Sequence, residues 1–320
     1  LKLARCNAGC MPTRRRALVA IGGALALAGC TDDGSQPTTD PGNGSTTEPN
    51  ETVNDTAEST NTTTEVPEAV APEVEAARAG LEAARSTYAG FAPADEPTIL
   101  DVTSLTVAYD HLEVLDQLQD ADNALNDAER GVDDSAGVER LRQEYYLLNE
   151  LAYAQWRGQL IGIVADRYAG STAKSSPTIS LLESRYRDMR DKQGSLTRRL
   201  SKADSYLTDS FYPDIGNREL YRRKIEQLRS ERGTFEVYLA AHEDFKSGVE
   251  QFNEATLRLS EDRPVIAAAK ARNAEQSFEA CRSTLSRASA ETLTPVTNAF
   301  SSGVESSLAA ARRLQDRADS

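Results

Sequence analysis

The sequence has few of the residues that carry most catalytic and metal chemistry. Its 320 residues include two His, one Trp and four Cys, and aromatic residues make up only 6%. The Cys, at positions 6, 10, 30 and 281, have neither the spacing of a zinc site nor the density of a disulfide-stabilised scaffold. Basic residues number 36 against 50 acidic ones, and the formal net charge of -14 argues against a nucleic-acid-binding protein.

The strings that come nearest to catalytic motifs are incomplete. His242 has Lys246 four residues later, where a zinc-binding His-Glu-x-x-His helix needs its second His. Ser171 and Lys174 match Ser-x-x-Lys, but the other two strings of that enzyme class are missing. We therefore expect no catalytic residue, no metal ligand and no cofactor, with Ser171 and Lys174 in a loop. Both His, His111 and His242, are expected in solvent or at the edge of the core.

The first 29 residues have the pattern of an export signal. They contain five basic residues and no acidic one, followed by an apolar run over residues 17–28. Twelve helical residues rise only about 18 Å, whereas a bilayer core is about 30 Å thick. The pattern therefore predicts a signal peptide rather than a transmembrane span, and Met11 is the start that would give it the usual proportions.

Two short strings make this interpretation more specific. Residues 13–19, Thr-Arg-Arg-Arg-Ala-Leu-Val, resemble a twin-arginine export motif centred on Arg15 and Arg16. Residues 27–30, Leu-Ala-Gly-Cys, resemble a lipobox, in which the Cys thiol receives a lipid. In this order the two strings resemble the signal of a twin-arginine-exported lipoprotein of the haloarchaeal type. The resemblance implies lipidation at Cys30 and attachment to the extracellular face of the cell membrane; the alternative for Cys30 is an ordinary free thiol.

The charge balance fits the same resemblance. After residue 29 the chain has 25 Arg but only 6 Lys, together with all 50 acidic side chains. This composition resembles that of proteins from halophilic archaea, which stay soluble in concentrated salt because the salt screens their self-repulsion. An ordinary acidic secreted protein is the alternative.

Residues 30–72 are predicted to be a disordered linker. Thr31–Pro72 contains nine acidic residues, eleven Thr and no basic residue, so it has too little apolar surface to offset the entropy of ordering. The segment also contains all four Asn-x-Ser/Thr sequons of the chain after residue 29, which favours a glycosylated stalk. The candidate acceptors are Asn43, Asn50, Asn54 and Asn61.

Residues 73–320 are predicted to be all-α. Apolar residues recur three and four apart, Pro and Gly lie mainly at the joints, and no alternating strand pattern competes. We expect helices over about 73–91, 98–130, 135–168, 177–207 and 214–260, with Ser176 capping the fourth and Asp214 the fifth, and a final helical stretch interrupted by Pro264 and Pro295. Long helices with short connections predict an elongated antiparallel helical bundle. This part of the sequence resembles no functional family that we can name.

The fourth predicted helix carries the strongest pattern. From Ile179 to Leu207 its apolar positions follow a heptad spacing for four heptads, which predicts coiled-coil-like packing. On the third helix, Trp156 and three nearby Tyr are expected to be core residues, since they recur at helical spacing, and an aromatic binding face is the alternative. Cys281 lies in an apolar stripe and is expected to be a small buried side chain. The three Tyr are Tyr145, Tyr146 and Tyr153.

The charges are unevenly distributed among the helices. The second predicted helix has eight acidic residues and no basic one between Asp101 and Glu129, whereas residues 185–202 and 218–232 are rich in Arg and Lys. The basic segments either pair with the acidic helix inside the bundle or bind an acidic surface protein, a glycan or a lipid headgroup. We call the representative residues the basic band: Arg185, Lys192, Arg199, Arg222 and Arg223.

These observations favour a non-enzymatic, lipid-anchored surface protein whose helical domain binds or scaffolds a partner. Two alternatives remain open. One is an envelope enzyme or ion-binding protein whose site forms only when distant residues meet, for example carboxylates with His111 or His242. The other is a purely structural spacer, which the lack of any concave pocket would favour.

Overall fold

The computed structural model of the protein describes residues 71–131, 135–174, 177–207 and 218–320. All regular elements in these ranges are helices, so the all-α prediction is confirmed for the described part of the chain. In chain order the helices are α1 (Pro72–Ala89), α2 (His111–Gly131), α3 (Ser135–Thr172), α4 (Ile179–Ser205), α5 (Arg218–Ser260), α6 (Pro264–Leu285) and α7 (Thr294–Asp319), with a short 3-10 helix at Glu291–Leu293.

Consecutive helices run antiparallel, as contacts between them show. On α3 and α4, Arg199 reaches Glu150 near the middle of α3, while Arg185 reaches the end of α3. On α5 and α6, Lys270 pairs with Glu254 at 2.8 Å, close to the turn that joins the two helices. The predicted antiparallel bundle is therefore confirmed. With 38 and 43 residues, α3 and α5 are about 57 and 65 Å long and connect its two ends.

The predicted apolar seam of α4 is confirmed. Six of its positions are buried, and Ile179, Tyr186 and Leu207 are half-buried. Gln193, the polar member, donates a hydrogen bond from Nε2 to the Arg232 carbonyl of α5. The seam thus packs α4 against its neighbours α3 and α5. The six buried positions are Leu182, Met189, Gln193, Leu196, Leu200 and Ala203.

The second helix begins at His111, so the prediction that it begins near residue 98 was wrong. The chain from residue 90 to residue 110 forms turns instead, beginning with one in which the Thr98 amide and hydroxyl donate to Asp101 at 2.8 Å. Val102 and Tyr109 are buried as the apolar pattern suggested, although no helix presents them. We call residues 92–110 the strap, since it lies across α3 and α5.

Polar side chains of α3 and α5 hold the strap. Gln159 Nε2 donates to the carbonyls of Thr106, Val107 and Tyr109 at 2.8 to 3.1 Å. The Ser104 amide and hydroxyl both donate to Glu231, which has no solvent-accessible surface. These tertiary bonds satisfy backbone groups that a helix would otherwise satisfy internally.

Other boundaries also differ from the predictions. The third helix continues to Thr172, four residues beyond the predicted end. The fourth begins at Ile179, so Pro177 precedes it rather than opening it, and Thr178 occupies the N-cap. The predicted caps at Ser176 and Asp214 lie outside the described residues.

Helices α1 to α5 form the half of the bundle that contains the start of α1, which we call the lower half. Helices α3 to α7 form the other half, which we call the upper half. In the upper half α3 lies between α5 and α7. Tyr168 of α3 shares a 2.9 Å hydrogen bond with His242 Nδ1 of α5, and its ring packs edge-on against Phe300 of α7 at 5.1 Å. The three helices run in the same direction, with α3 in the middle. A longer or shorter α3 would therefore fill more or less of the space between α5 and α7.

Candidate functional site

The basic band does not act as one surface, because two of its residues bind α3. Arg199 Nη1 donates to both carboxylate oxygens of Glu150, at 2.8 and 3.0 Å, and Glu150 is only 6% exposed. Arg185 donates to the Arg167 carbonyl and to the Ser171 hydroxyl in the last turns of α3. A cation in this position donates hydrogen bonds to carbonyl groups at the C-terminal end of α3, and the partial negative charge of the helix dipole there attracts it. These two residues therefore serve helix packing.

The other three members of the basic band make local contacts or none. Arg222 pairs with Glu219 and Glu226 of its own helix at 2.7 and 2.8 Å. Lys192 donates a 3.3 Å hydrogen bond to the Asp188 carbonyl one turn earlier. Arg223 is exposed and has no ion pair with any described residue. Lys192 and Arg223 thus keep their charges available to solvent.

The acidic helix pairs with α3 rather than with the basic segments. Arg142 of α3 is 7% exposed and binds Asp122 and Glu129 of α2, the latter at 2.8 Å. Its Nη2 also donates to Asn126 Oδ1 at 2.8 Å. In the described residues α2 makes no contact with α4, so the interpretation in which these two helices pair was wrong. Helix α3 follows α2 and precedes α4 in the chain, and it supplies the ion-pair partners of both helices.

The aromatic residues of α3 lie at the edge of the core: Tyr145 and Trp156 pack against it as predicted, whereas Tyr146 does not. Trp156 is half-buried, with the His111 ring stacked on it at 4.1 Å and the Arg157 guanidinium 4.2 Å from its centroid. Tyr153 is also half-buried beneath Arg199, and Tyr146 is 41% exposed. The cations and the imidazole already occupy the ring faces, so the cluster fastens α2 and α4 to α3.

His242 is buried, which corrects the prediction that it lies in solvent or at the edge of the core. It is 1% exposed, accepts or donates the 2.9 Å hydrogen bond with Tyr168, and stacks on Tyr186 at 4.2 Å. Burial lowers the pKa of the imidazole, which favours its neutral form. His111 lies far from it, at the strap end of α2, so the two His do not meet.

Cys281 is fully buried, as predicted, beside Phe278 on α6. Burial raises the pKa of its thiol well above the usual value, and the charge of Asp244 adds to this effect. The thiolate that a nucleophile requires is therefore disfavoured. Within the described ranges, no three side chains of His, Cys, Asp or Glu lie close enough together to hold a metal ion.

A pocket of about 450 Å³ opens where α3 ends. Up to Thr172, α3 fills the space between α5 and α7, and Gly303 of α7 lies so close that a Cβ there would overlap Thr172. The chain then turns away at Ala173 and Lys174 towards α4. Because no described residue takes the place of α3 between α5 and α7, the gap becomes a cavity of the size that small-molecule sites usually have.

The wall formed by α5 and α6 is mostly apolar. Val249 and Phe278 are buried, and Phe252 is half-buried beside them. Gly248 allows the Phe278 ring to lie against α5, since a Cβ at this position would be 2.5 to 2.9 Å from three ring atoms. In the sequence, Phe252 and Phe278 recur at helical spacing with other apolar residues, which indicates a buried helix face but not where a neighbouring helix stops.

The rest of the lining contains the polar residues, together with Ala173, Pro177 and Ala310. Ser306, Ser307 and Arg313 come from α7, Asn253 comes from α5, and Lys174 follows the end of α3. Lys174 and Arg313 are the charged residues of the described lining, and no acidic side chain accompanies them. Neither has an ion pair with a described residue. The rest of the α3–α4 connection, residues 175 and 176, lies outside the described part.

The predicted sites near the N-terminus, the export-motif residues Arg15 and Arg16, the lipidation site Cys30, and the sequons at Asn43, Asn50, Asn54 and Asn61, lie outside the described residues. The same is true of most of the linker at 30–72. Among the described helices, none has both the length and the apolar character that a membrane span requires. Comparisons with protein-family models, with curated proteins and with solved structures find no match to this chain.

Proposed function

We propose that this protein is a non-enzymatic, lipid-anchored protein of the cell surface whose helical domain binds a small molecule in the pocket at the end of α3. The observation that carries the proposal is the pocket itself, with its apolar wall and its two cations, which have no acidic partner among the described residues. A purely structural spacer has no need of such a cavity. The described lining offers hydrogen bonds, charge and apolar contact, which are the means of binding.

The position of the pocket suits a protein held by its N-terminus. Tyr88 of α1 lies beside Lys224 of α5, and the two helices run in the same direction. Pro72, where the predicted linker joins α1, is 16 residues below this level, and Val249 is 25 residues above it. At about 1.5 Å per residue, the pocket lies about 60 Å from the start of α1 along the bundle. The pocket is therefore not at the end of the bundle where α1 begins.

The basic band supports a second, weaker candidate, the binding of an acidic surface protein, a glycan or lipid headgroups. Of its five members, only Lys192 and Arg223 have neither an acidic partner nor a contact with another helix in the described structure. Two dispersed charges give little affinity on their own, since each exposed ion pair contributes about 0.2 to 1 kcal/mol. The pocket is therefore the better-supported site.

Filling the pocket tests its role in binding. N-phenyl-1-naphthylamine, an uncharged apolar dye, should bind the full chain and fluoresce. Ala310→Phe places a ring in the cavity from α7, and we expect it to lower the affinity for this dye at least tenfold. Ala309→Phe is the matched control, because Ala309 is exposed and does not line the pocket. Equal dye binding by the wild type and both variants would contradict a ligand site here.

Membrane attachment is tested separately. We expect Cys30→Ser to abolish incorporation of a labelled lipid precursor and to move the protein out of the membrane fraction. Replacing Arg15 and Arg16 with Lys should block export and leave the precursor inside the cell. Undiminished lipid labelling of the Cys30→Ser protein would show that the attachment site lies elsewhere.

A further inference from the structure

We infer that the pocket takes an anionic amphiphile, a small molecule whose apolar part packs against α5 and α6 and whose single carboxylate, phosphate or sulfonate group lies between Lys174 and Arg313. This inference rests on the proposed binding function and specifies its ligand. It follows from how the pocket separates its apolar and charged surfaces. The test below distinguishes its failure from a failure of the proposed function.

The apolar part of the ligand has a defined place. Val249 and Phe252 of α5 and Phe278 of α6 supply the large apolar side chains of the cavity lining. Phe278 is 1% exposed and is held in position by its contact with Gly248 and by the Phe245 ring at 5.6 Å. An aromatic or aliphatic group that covers this wall removes apolar surface from water, which contributes about 25 cal/mol for each Å² buried.

The polar side of the pocket favours an anion. The Ser306 and Ser307 hydroxyls donate to the carbonyls of Ser302 and Gly303 at 2.8 and 3.0 Å, so their hydrogens are already engaged within α7. The remaining donors are the Lys174 ammonium, the Arg313 guanidinium and the Asn253 amide. Donors that carry positive charge bind carboxylates and phosphates more strongly than they bind neutral acceptors.

Three acidic residues near the pocket are already paired with other cations. Glu254 of α5 binds Lys270 at 2.8 Å. On the other side, Arg312 binds Glu275 and Glu279 of α6 at 2.6 and 2.9 Å. Arg312 therefore points away from the cavity while Arg313, the next residue, lines it. In a chain of net charge -14, this leaves a local positive site that no described acid neutralises.

The ligand chemistry has two sources, a free amphiphile and the headgroup of a membrane lipid, and we commit to the free molecule. The pocket lies about 60 Å along the bundle from the start of α1. A molecule with one apolar part also matches a single apolar wall. A water-soluble acid with a ring system or a short chain fits both features.

Two dyes that differ in one group test the inference. Both 1-anilinonaphthalene-8-sulfonate and N-phenyl-1-naphthylamine carry the same rings, but only the first has a sulfonate. We expect Lys174→Gln and Arg313→Gln each to weaken binding of the sulfonate dye three- to tenfold and to change binding of the neutral dye less than twofold. Arg312→Gln is the matched control, with the same loss of charge one residue away, and should change neither. Circular dichroism checks that each variant is folded.

Competition identifies the ligand class and its source. Decanoate should displace the sulfonate dye from the wild type. Decanol and inorganic phosphate at the same concentration should displace much less of it, because decanol lacks the anionic group and inorganic phosphate lacks the apolar part. The full chain produced without a lipid should not sediment with phosphatidylglycerol vesicles. Sedimentation that depends on Lys174 and Arg313 would contradict the free-ligand assignment.

The possible failures are distinct. If neither substitution changes the preference for the sulfonate dye, the anionic part of the inference is overturned, although binding in the pocket can still stand. If Ala310→Phe leaves binding of the neutral dye intact, the proposed binding function is overturned as well. If the wild type does not bind the sulfonate dye at all, the inference fails whatever the variants do.

Discussion

Lys224 gives the sharpest prediction about stability. This lysine of α5 has no solvent-accessible surface, and its Nζ donates to the Val102 carbonyl of the strap and, at 3.3 Å, to Gln227 Oε1. Burial lowers its pKa from 10.5 to about 7, while the carboxylates of Glu231 and Asp101 act in the opposite direction. The folded protein therefore releases a proton that the unfolded chain keeps at neutral and mildly alkaline pH.

The sign and size of the effect follow from proton linkage. Between pH 7 and 10.5 the unfolded state binds more protons at this site than the folded state, so the free energy of unfolding rises with pH. Each pH unit well inside this window raises the free energy of unfolding by about 1.4 kcal/mol. For folded and unfolded pKa values of about 7 and 10.5, the gain between pH 7 and pH 9 is about 2 kcal/mol.

Urea unfolding at pH 7, 8 and 9 measures this dependence, with the fluorescence of Trp156, the one Trp of the chain, as the probe. Lys224→Met should remove the gain of about 2 kcal/mol whatever it does to the absolute stability. Lys246→Met is the control: Lys246 pairs with Glu183 at 2.6 Å, which raises its pKa, so it stays protonated in both states in this range. Equal pH slopes for the wild type and Lys224→Met would refute the reasoning.

Three further predictions concern packing and the linker. Arg199→Gln should lower the free energy of unfolding by about 1 to 2 kcal/mol in urea titrations, since it leaves the mostly buried Glu150 carboxylate without its main partner. Lys192→Gln, the control, should change the free energy of unfolding by less than about 0.5 kcal/mol. Gly248→Ala should cost about 1 to 3 kcal/mol in the same assay, because the new methyl group displaces the Phe278 ring. Limited proteolysis of the unglycosylated chain should cut first between residues 31 and 72 and leave the helical domain intact, and early cuts inside the helices would contradict the predicted linker.

The helices were predictable where one periodic pattern continues without interruption. The seam from Ile179 to Leu207 has its apolar residues three and four apart, and the structure buries or half-buries all of them. Such a pattern states which face of a helix is covered, and little else is needed to place the helix in a bundle. The sequence indicates less well which helices are neighbours. The opposite charges of α2 and α4 suggested that these two helices pair, but α3 lies between them.

The strap shows how the same pattern can mislead. Val102 and Tyr109 recur at helical spacing and are buried, yet the chain that carries them is not helical. Its backbone groups are bonded by Gln159 and Glu231, which lie about 50 and 125 residues further along the chain. A tertiary bond over such a distance competes with local helix formation, and no local window of sequence contains it. Buried polar residues on a neighbouring helix are the signal that could have indicated it.

The pocket depends on the relative lengths of helices rather than on a motif. Each residue added to the end of α3 would extend it by about 1.5 Å between α5 and α7, so two further turns would carry it about 11 Å into the space that the cavity occupies. Thr172, the last residue of α3, lies in close contact with Gly303 of α7, and the turn at Lys174 directly after it brings a cation to that point. The end of one helix thus creates the cavity and supplies part of its charge. A change in the α3–α4 connection is therefore expected to alter ligand binding more than a change of the same size in the α6–α7 connection, which contributes no residue to the pocket.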